Sequence, residues 1–170
     1  MQATEVLKAE DIIREIKRAG IRFIVALPDA VTSHHLLKTL LQDPEMRVVQ
    51  VCKEDEGVSV CSGLFAAGQR ALLLMQNTGL LDSLNSVRGT AVEIDFPVCM
   101  MVGLLAKEPG VLPTESKNYG VRIVEPVLDA MGVEHAFVEQ PEDVQKIVPA
   151  IEAAYARLAP TVLLIGREPQ

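Results

Sequence analysis

The sequence predicts a doubly wound α/β domain: a mostly parallel six-stranded sheet with helices on both faces. Three observations lead there. Short β-rich runs alternate with amphipathic stretches from one end of the chain to the other. Several of those runs are apolar at successive positions, as in ALLLM at 71–75 and TVLLI at 161–165. A strand covered on both faces has no solvent side, whereas a half-exposed antiparallel strand alternates apolar and polar residues. Finally, 49% of the 170 residues are hydrophobic and 4% aromatic, enough for a core of Val, Leu, Ile and Ala, and that composition excludes disorder.

The first expected element is a helix over 9–19. Ile12, Ile13 and Ile16 recur at helical spacing, Lys17 and Arg18 close the last turn, and Gly20 supplies a left-handed cap. Strands over 22–27 and 47–52 flank a helix over 31–41 that stops before Pro44, giving a βαβ unit. A helix over 54–67, capped by Gly68, leads to a strand over 71–75, a turn at 76–79, a helix running to 92 and a strand over 98–102. The Gly/Pro/Lys/Glu stretch at 103–120 is longer than the usual α/β connection, and loops of that length tend to be functional or mobile. A helix over 123–131, a strand over 135–138, a helix over 141–158 opened by Pro141-Glu142-Asp143 and a strand over 161–165 follow. With no repeat, low-complexity tract or linker, residues 1–170 read as one domain.

A net charge of −7 without a Lys/Arg cluster argues against nucleic acid as a partner. No apolar run reaches the roughly 18 to 20 residues of a spanning helix, and MQATEVLKAE lacks the pattern of a signal peptide, so no membrane partner and a cytoplasmic location are expected. Cys52, Cys61 and Cys99 sit among apolar neighbours without a C-x-x-C pair and read as core thiols, with no metal site expected.

Ligands of open α/β sheets bind beyond the carboxyl ends of the strands. Four segments fall there: Leu27-Pro28-Asp29-Ala30, Lys53-Glu54-Asp55-Glu56-Gly57, Gln76-Asn77-Thr78-Gly79 and the 103–120 loop. Carboxylates at 54–56 suit a helix dipole, but a partly desolvated Glu can instead exchange a proton with a ligand ring nitrogen. Gln76, Asn77, Thr78 and Gly79 make either an anion cradle or a plain turn; the G-x-G-x-x-G and Walker A patterns are absent. His34 and His35 are candidate donors or acids toward an anionic substrate, although consecutive residues of a helix face different ways. Lys117, Asn118 and Arg122 suit a cationic lid over a sulfonate or phosphonate, or a solvated polar loop. His135, at the start of a strand, reads as structural.

Taken together, these segments resemble the pyrimidine-binding domain of thiamine-diphosphate-dependent 2-oxoacid decarboxylases. The pattern Glu-x-x-(small)-x-x-x-x-x-Gly fits Glu54, Gly57 and Gly63, and a strand and the turn Met75-Gln76-Asn77-Thr78-Gly79-Leu80 follow at family spacing. Pro28-Asp29 and Asn85 agree with it, and the Met-Gln-Asn form looks most like the sulfopyruvate and phosphonopyruvate decarboxylases. Where the family often reads Gly-Leu-Gly-Asn, this chain has Gly79-Leu80-Leu81-Asp82, a departure that bears on substrate preference. The resemblance implies that Glu54 hydrogen-bonds the cofactor's aminopyrimidine and assists formation of the reactive carbanion, with Pro28, Asp29, Gln76, Asn77, Thr78 and Gly79 beside the cofactor. The family's diphosphate and Mg²⁺ site carries Gly-Asp-Gly and Asn-Asn, and neither occurs here. The resemblance therefore implies an alpha chain that shares thiamine diphosphate with a diphosphate-binding beta subunit, which holds the Mg²⁺. It further implies self-association and a small anionic 2-oxoacid substrate, sulfopyruvate before phosphonopyruvate. The readings from other classes are a non-catalytic assembly subunit and a flavodoxin-like or nucleotide-binding module.

Overall fold

The structure, a computed structural model, describes residues 6–170. Helix α1 (Ala9–Arg18) precedes β1 (Phe23–Ala26), and a π-helical turn (Ser33–Leu37) runs into α2 (Lys38–Gln42) before β2 (Arg47–Gln50). Helix α3 (Glu54–Ala66) leads to β3 (Ala71–Gln76), then come α4 (Asn77–Asp82), α5 (Leu84–Val87) with a π turn (Arg88–Val92), and β4 (Cys99–Gly103). After a 3-10 turn (Pro113–Glu115), α6 (Tyr119–Arg122) and α7 (Val124–Met131) lead to β5 (Glu134–Val138). A 3-10 segment (Pro141–Lys146), α8 (Ile147–Arg157) and β6 (Thr161–Ile165) complete the order.

The six strands pair in the order β2-β1-β3-β4-β6-β5, and every pairing is parallel, so the sheet is wholly rather than mostly parallel. Right-handed crossovers then fix which face each helix covers. The two moves in one direction, β1 to β2 and β5 to β6, put α2 and α8 on the same face, where α1 joins them. The moves from β2 to β3, β3 to β4 and β4 to β5 put α3, α4–α5 and α6–α7 on the other. Strand β3 shows the consequence: Leu72 and Leu74 pack with Ile12, Ile16 and Leu40, while Leu73 and Met75 pack with Val58, Val87 and Val124. Both faces are dry, which is why the run ALLLM needs no polar alternation.

Every expected strand lies within about two residues of its predicted bounds, and the differences among helices have local causes. The helix expected over 31–41 starts later and with a wide turn, Leu37 N–H donating to Thr32 O at 3.0 Å. Asp29 holds the preceding chain in a tight turn by accepting from the N–H groups of Val31 and Thr32, both at 2.6 Å. The helix expected to run to 92 breaks at Ser83 (φ −94°, ψ 2°). The helix expected over 123–131 is preceded by α6, which Asn118 caps by accepting from Gly120 N–H at 3.0 Å. The one expected over 141–158 opens as a 3-10 segment, because Pro149 has no N–H to give the carbonyl four residues back. The reading of three core thiols is corrected at Cys52: Cys61 and Cys99 are buried, but Cys52 follows the exposed edge strand β2 and is itself exposed. Among the described residues no helix is long and apolar enough to cross a membrane.

Candidate functional site at the carboxyl edge

The direction of winding reverses at β1, which pairs with β2 on one side and β3 on the other. Chains leaving β1 and β3 depart to opposite faces, and a crevice for ligands opens at such a point. The segment after β1, the start of α3 and the start of α4 all emerge at this carboxyl edge.

Glu54 is the first residue of α3, entered from an extended Lys53 (φ −147°, ψ 149°). The three adjacent acids are not equivalent. Asp55 accepts from Glu56 N–H at 2.9 Å and stands 3.6 Å from Lys53 Nζ, and Glu56 accepts from Cys52 N–H at 2.9 Å. Glu54 is half-buried and, among the described residues, has neither a hydrogen bond nor an ion pair. Its carboxyl group lies against Gly79: a Cβ at that position would stand 2.2 Å from Oε1. Gly57 lets α3 sit close to β3, since a Cβ there would meet Leu73 Cδ1 at 2.5 Å and force that side chain or the helix to give. Both glycines are thus spacing elements, one seating the helix and the other making room for its first carboxylate.

On the turn after β3, Gln76 Nε2 donates to Thr78 Oγ1 at 2.6 Å, and Thr78 is exposed. Asn77 is buried; its amide donates to Gly120 O at 3.0 Å and accepts from Leu105 N–H at 2.9 Å, so it ties the start of α4 to the neighbouring loop. Pro28 is exposed, and Asp29 spends its carboxylate capping the turn that follows, accepting also from the Thr32 hydroxyl.

The two histidines do not diverge. His34 Nδ1 lies 3.2 Å and His35 Nε2 lies 3.9 Å from Glu168 Oε1, with ring centroids 4.4 Å apart. The 103–120 loop is stitched to itself. Glu108 accepts from Ser116 Oγ at 2.7 Å and from Lys117 N–H at 3.0 Å, which holds its carboxyl below the usual glutamate range. Arg122 Nη1 donates to Ser116 O at 2.8 Å, and its guanidinium stands over the Tyr119 ring. Beneath the loop, Lys107 and Glu139 form a buried pair at 2.5 Å. Burial raises the Cys99 thiol to about 12 and the Cys61 thiol further, which makes both unreactive packing groups. His135 sits 3.8 Å from Glu125 and 3.3 Å from Val133 O.

Sequence reasoning missed Glu168, Lys107 and Glu139. The pairs they form span 134 and 32 residues, and no periodicity or local motif announces contacts at that separation.

No protein-family model matches the chain. Among curated proteins it is similar to the sulfopyruvate decarboxylase subunit alpha of Methanothermobacter thermautotrophicus, 34% identical over 98 residues, which are 58% of this chain and 59% of the relative. The protein of the same name from Methanococcus maripaludis is 29% identical over 94 residues (55% of this chain, 56% of the relative). That from Methanocaldococcus jannaschii is 25% identical over 141 residues (81% and 79%). The matches to the first two thus span little more than half the length of each relative. The chain is thus similar in sequence to proteins named sulfopyruvate decarboxylase subunit alpha, in line with the resemblance carried by the motifs at Glu54 and at Met75 to Leu80.

Proposed function

We propose that this chain is the pyrimidine-binding subunit of a thiamine-diphosphate-dependent decarboxylase that converts 3-sulfopyruvate to sulfoacetaldehyde and CO₂, with phosphonopyruvate the second candidate substrate. The observation that carries this reading is the unpartnered, half-buried Glu54 carboxylate over the bare Cα of Gly79. The relatives' names support it.

The cofactor's aminopyrimidine fits this donor set. Glu54 has oxygen lone pairs that no described residue uses, and Gly79 leaves room that any side chain would fill. Bound thiamine diphosphate supplies the electron sink for the pair released when the substrate's carboxylate departs as CO₂. Glu54 holds and exchanges a proton at the pyrimidine ring nitrogen, a role that needs a carboxylate rather than an amide. Gln76 and Thr78 offer an amide and a hydroxyl beside it, Asn77 keeps their turn in place, and Pro28-Asp29 borders the same edge. The diphosphate and Mg²⁺ fall to a separate beta subunit carrying Gly-Asp-Gly and Asn-Asn, which this sequence lacks.

The test is to co-purify the chain with such a partner and measure CO₂ release from sulfopyruvate, phosphonopyruvate and pyruvate. Sulfopyruvate should be the best substrate. Glu54→Gln should abolish most of the activity while assembly survives, and wild-type turnover by that variant would overturn the proton role. Tight 1:1 binding of thiamine diphosphate to the isolated chain would overturn the shared site.

A further inference from the structure

We propose that His34, His35 and Glu168 form a binding site for a divalent transition-metal ion of the zinc class. None of the three belongs to the Glu54–Gly79 constellation, and a site built on imidazoles differs in kind from one for Mg²⁺, which takes oxygen ligands.

One donor atom from each of the three residues lies within 4.8 Å of the other two, and His34 Nδ1 and His35 Nε2 face the Glu168 carboxylate. Ligands of a tetrahedral zinc, at about 2.0 to 2.2 Å from the metal, stand about 3.4 Å from one another. The His34–Glu168 separation of 3.2 Å already meets that edge length, and the 3.9 Å to His35 needs only a small side-chain rotation. Two imidazoles and a glutamate are the ligand set of three-ligand zinc sites, in which the fourth position stays open to water or an exogenous ligand. The carboxylate at the centre of the group also argues for a cation rather than an anion as the occupant, since an anionic guest would meet Glu168 first.

The scaffold explains why consecutive histidines converge. They sit in the π turn, which has more residues per turn than an α-helix and so spreads neighbouring side chains less widely; such turns are frequent at functional sites. Thr39 Oγ1 donates to His35 O at 2.7 Å and fixes the backbone of that turn. Glu168 belongs to a terminal segment anchored at both ends. Gly166 N–H donates to Val138 O at 2.9 Å, while Gln170 accepts from Ala9 N–H and donates to Leu7 O, both at 2.8 Å. Gly166 also permits a close approach, since a Cβ there would meet Phe137 Cε2 at 2.6 Å. Metal at this site would clamp the chain's terminal segment to the turn after β1.

The experiment titrates Co²⁺ and Zn²⁺ into the purified, untagged chain carrying Cys52→Ser, because Cys52 is an exposed thiol that competes for both ions. The expected result is one ion per chain, visible Co²⁺ absorption of low-symmetry coordination, displacement by Zn²⁺ and a rise in melting temperature with metal concentration. His34→Ala, His35→Ala and Glu168→Gln should each weaken binding by at least about tenfold while keeping the metal-free melting temperature close to that of the parent. Binding that survives all three substitutions, or that Mg²⁺ displaces as readily as Zn²⁺ does, overturns the proposal.

Discussion

Two glutamates at the carboxyl edge of one sheet have opposite surroundings. Glu139 follows β5, is buried, and accepts from Lys107 Nζ at 2.5 Å; that ammonium also donates to Glu108 O at 2.8 Å and stands 5.2 Å from the Phe137 ring centre. Glu54 follows β2, is half-buried, and has no such partner among the described residues. Around Glu139 the loop above is tied down as well, through Glu108, Asn118 and Arg122. Around Glu54 two glycines clear space and leave the carboxylate bare. The β4/β5/β6 half is thus built to hold its shape, and the β1/β3 half keeps one charge in reserve. Glu54 is part exposed, so its carboxylate can be reached without any buried group being left unsatisfied.

The comparison can be broken most forcefully on the paired side. Lys107→Ala leaves the Glu139 carboxylate buried without a counter-charge and should cost about 3 to 5 kcal/mol in denaturant unfolding. The double variant Lys107→Met/Glu139→Leu should recover most of that loss, because two apolar side chains replace two desolvated charges. If the single variant unfolds like wild type, Lys107 and Glu139 are a surface-like pair and the contrast fails.

A smaller effect is expected where α3 meets the sheet. Gly57→Ala puts a methyl 2.5 Å from Leu73 Cδ1 on a strand packed from both faces; overpacking of about 1 to 3 kcal/mol, offset by about 1 kcal/mol of helix propensity, should leave a net loss of up to about 2 kcal/mol and move Glu54 away from Gly79. Asp29→Ala removes a carboxylate that accepts two backbone N–H groups at 2.6 Å and should cost about 1 kcal/mol by the same measurement. An Asp29 variant of unchanged stability would show that these turn hydrogen bonds do not hold the β1–α2 connection together.

What the sequence discloses and what it hides divide along the same line. Strand positions and the start of α3 are readable because they depend on local runs such as ALLLM and on Glu54 following a short strand. The left-handed caps at Gly20 and Gly68 (φ +75° and +74°) are local too. The π turn at Ser33–Leu37 is hidden, since its cause is the Asp29 turn before it rather than its own composition. The exposure of Cys52 is hidden because nothing local says that β2 lies at the sheet's edge. Of the candidate residues, Glu54 stands out by motif. That Asp55 and Glu56 are occupied and Glu54 is not appears only once the chain is folded.

Acid should loosen the tied half locally, through Glu108. The hydroxyl of Ser116, the residue's own backbone N–H and the N–H of Lys117 hold the Glu108 carboxyl low. Its folded pKa therefore lies below its unfolded one, so its stabilisation is full above the usual glutamate range and fades as pH falls through the folded value. The protection factor of the Lys117 amide, its exchange measured against the intrinsic rate at each pH, should drop over that fall. Glu108→Gln should show low protection at every pH, and a Lys117 protection factor that does not change with pH in the wild type would sever the link between this carboxylate and the loop.

The smallest effect is the most discriminating. Glu54→Gln exchanges a charge for an amide of the same shape at the first position of α3. It forfeits the favourable interaction with the helix N-terminus, about 0.3 to 1 kcal/mol. With no hydrogen bond to lose, the variant should unfold within about 1 kcal/mol of wild type. A loss well above about 1 kcal/mol would mean that the carboxylate has a structural partner after all, and the contrast with Glu139 would collapse into a difference of degree. A neutral or slightly stabilising change, set beside a loss of turnover in the proposed complex, would mean that the fold keeps this carboxylate for chemistry rather than for its own stability.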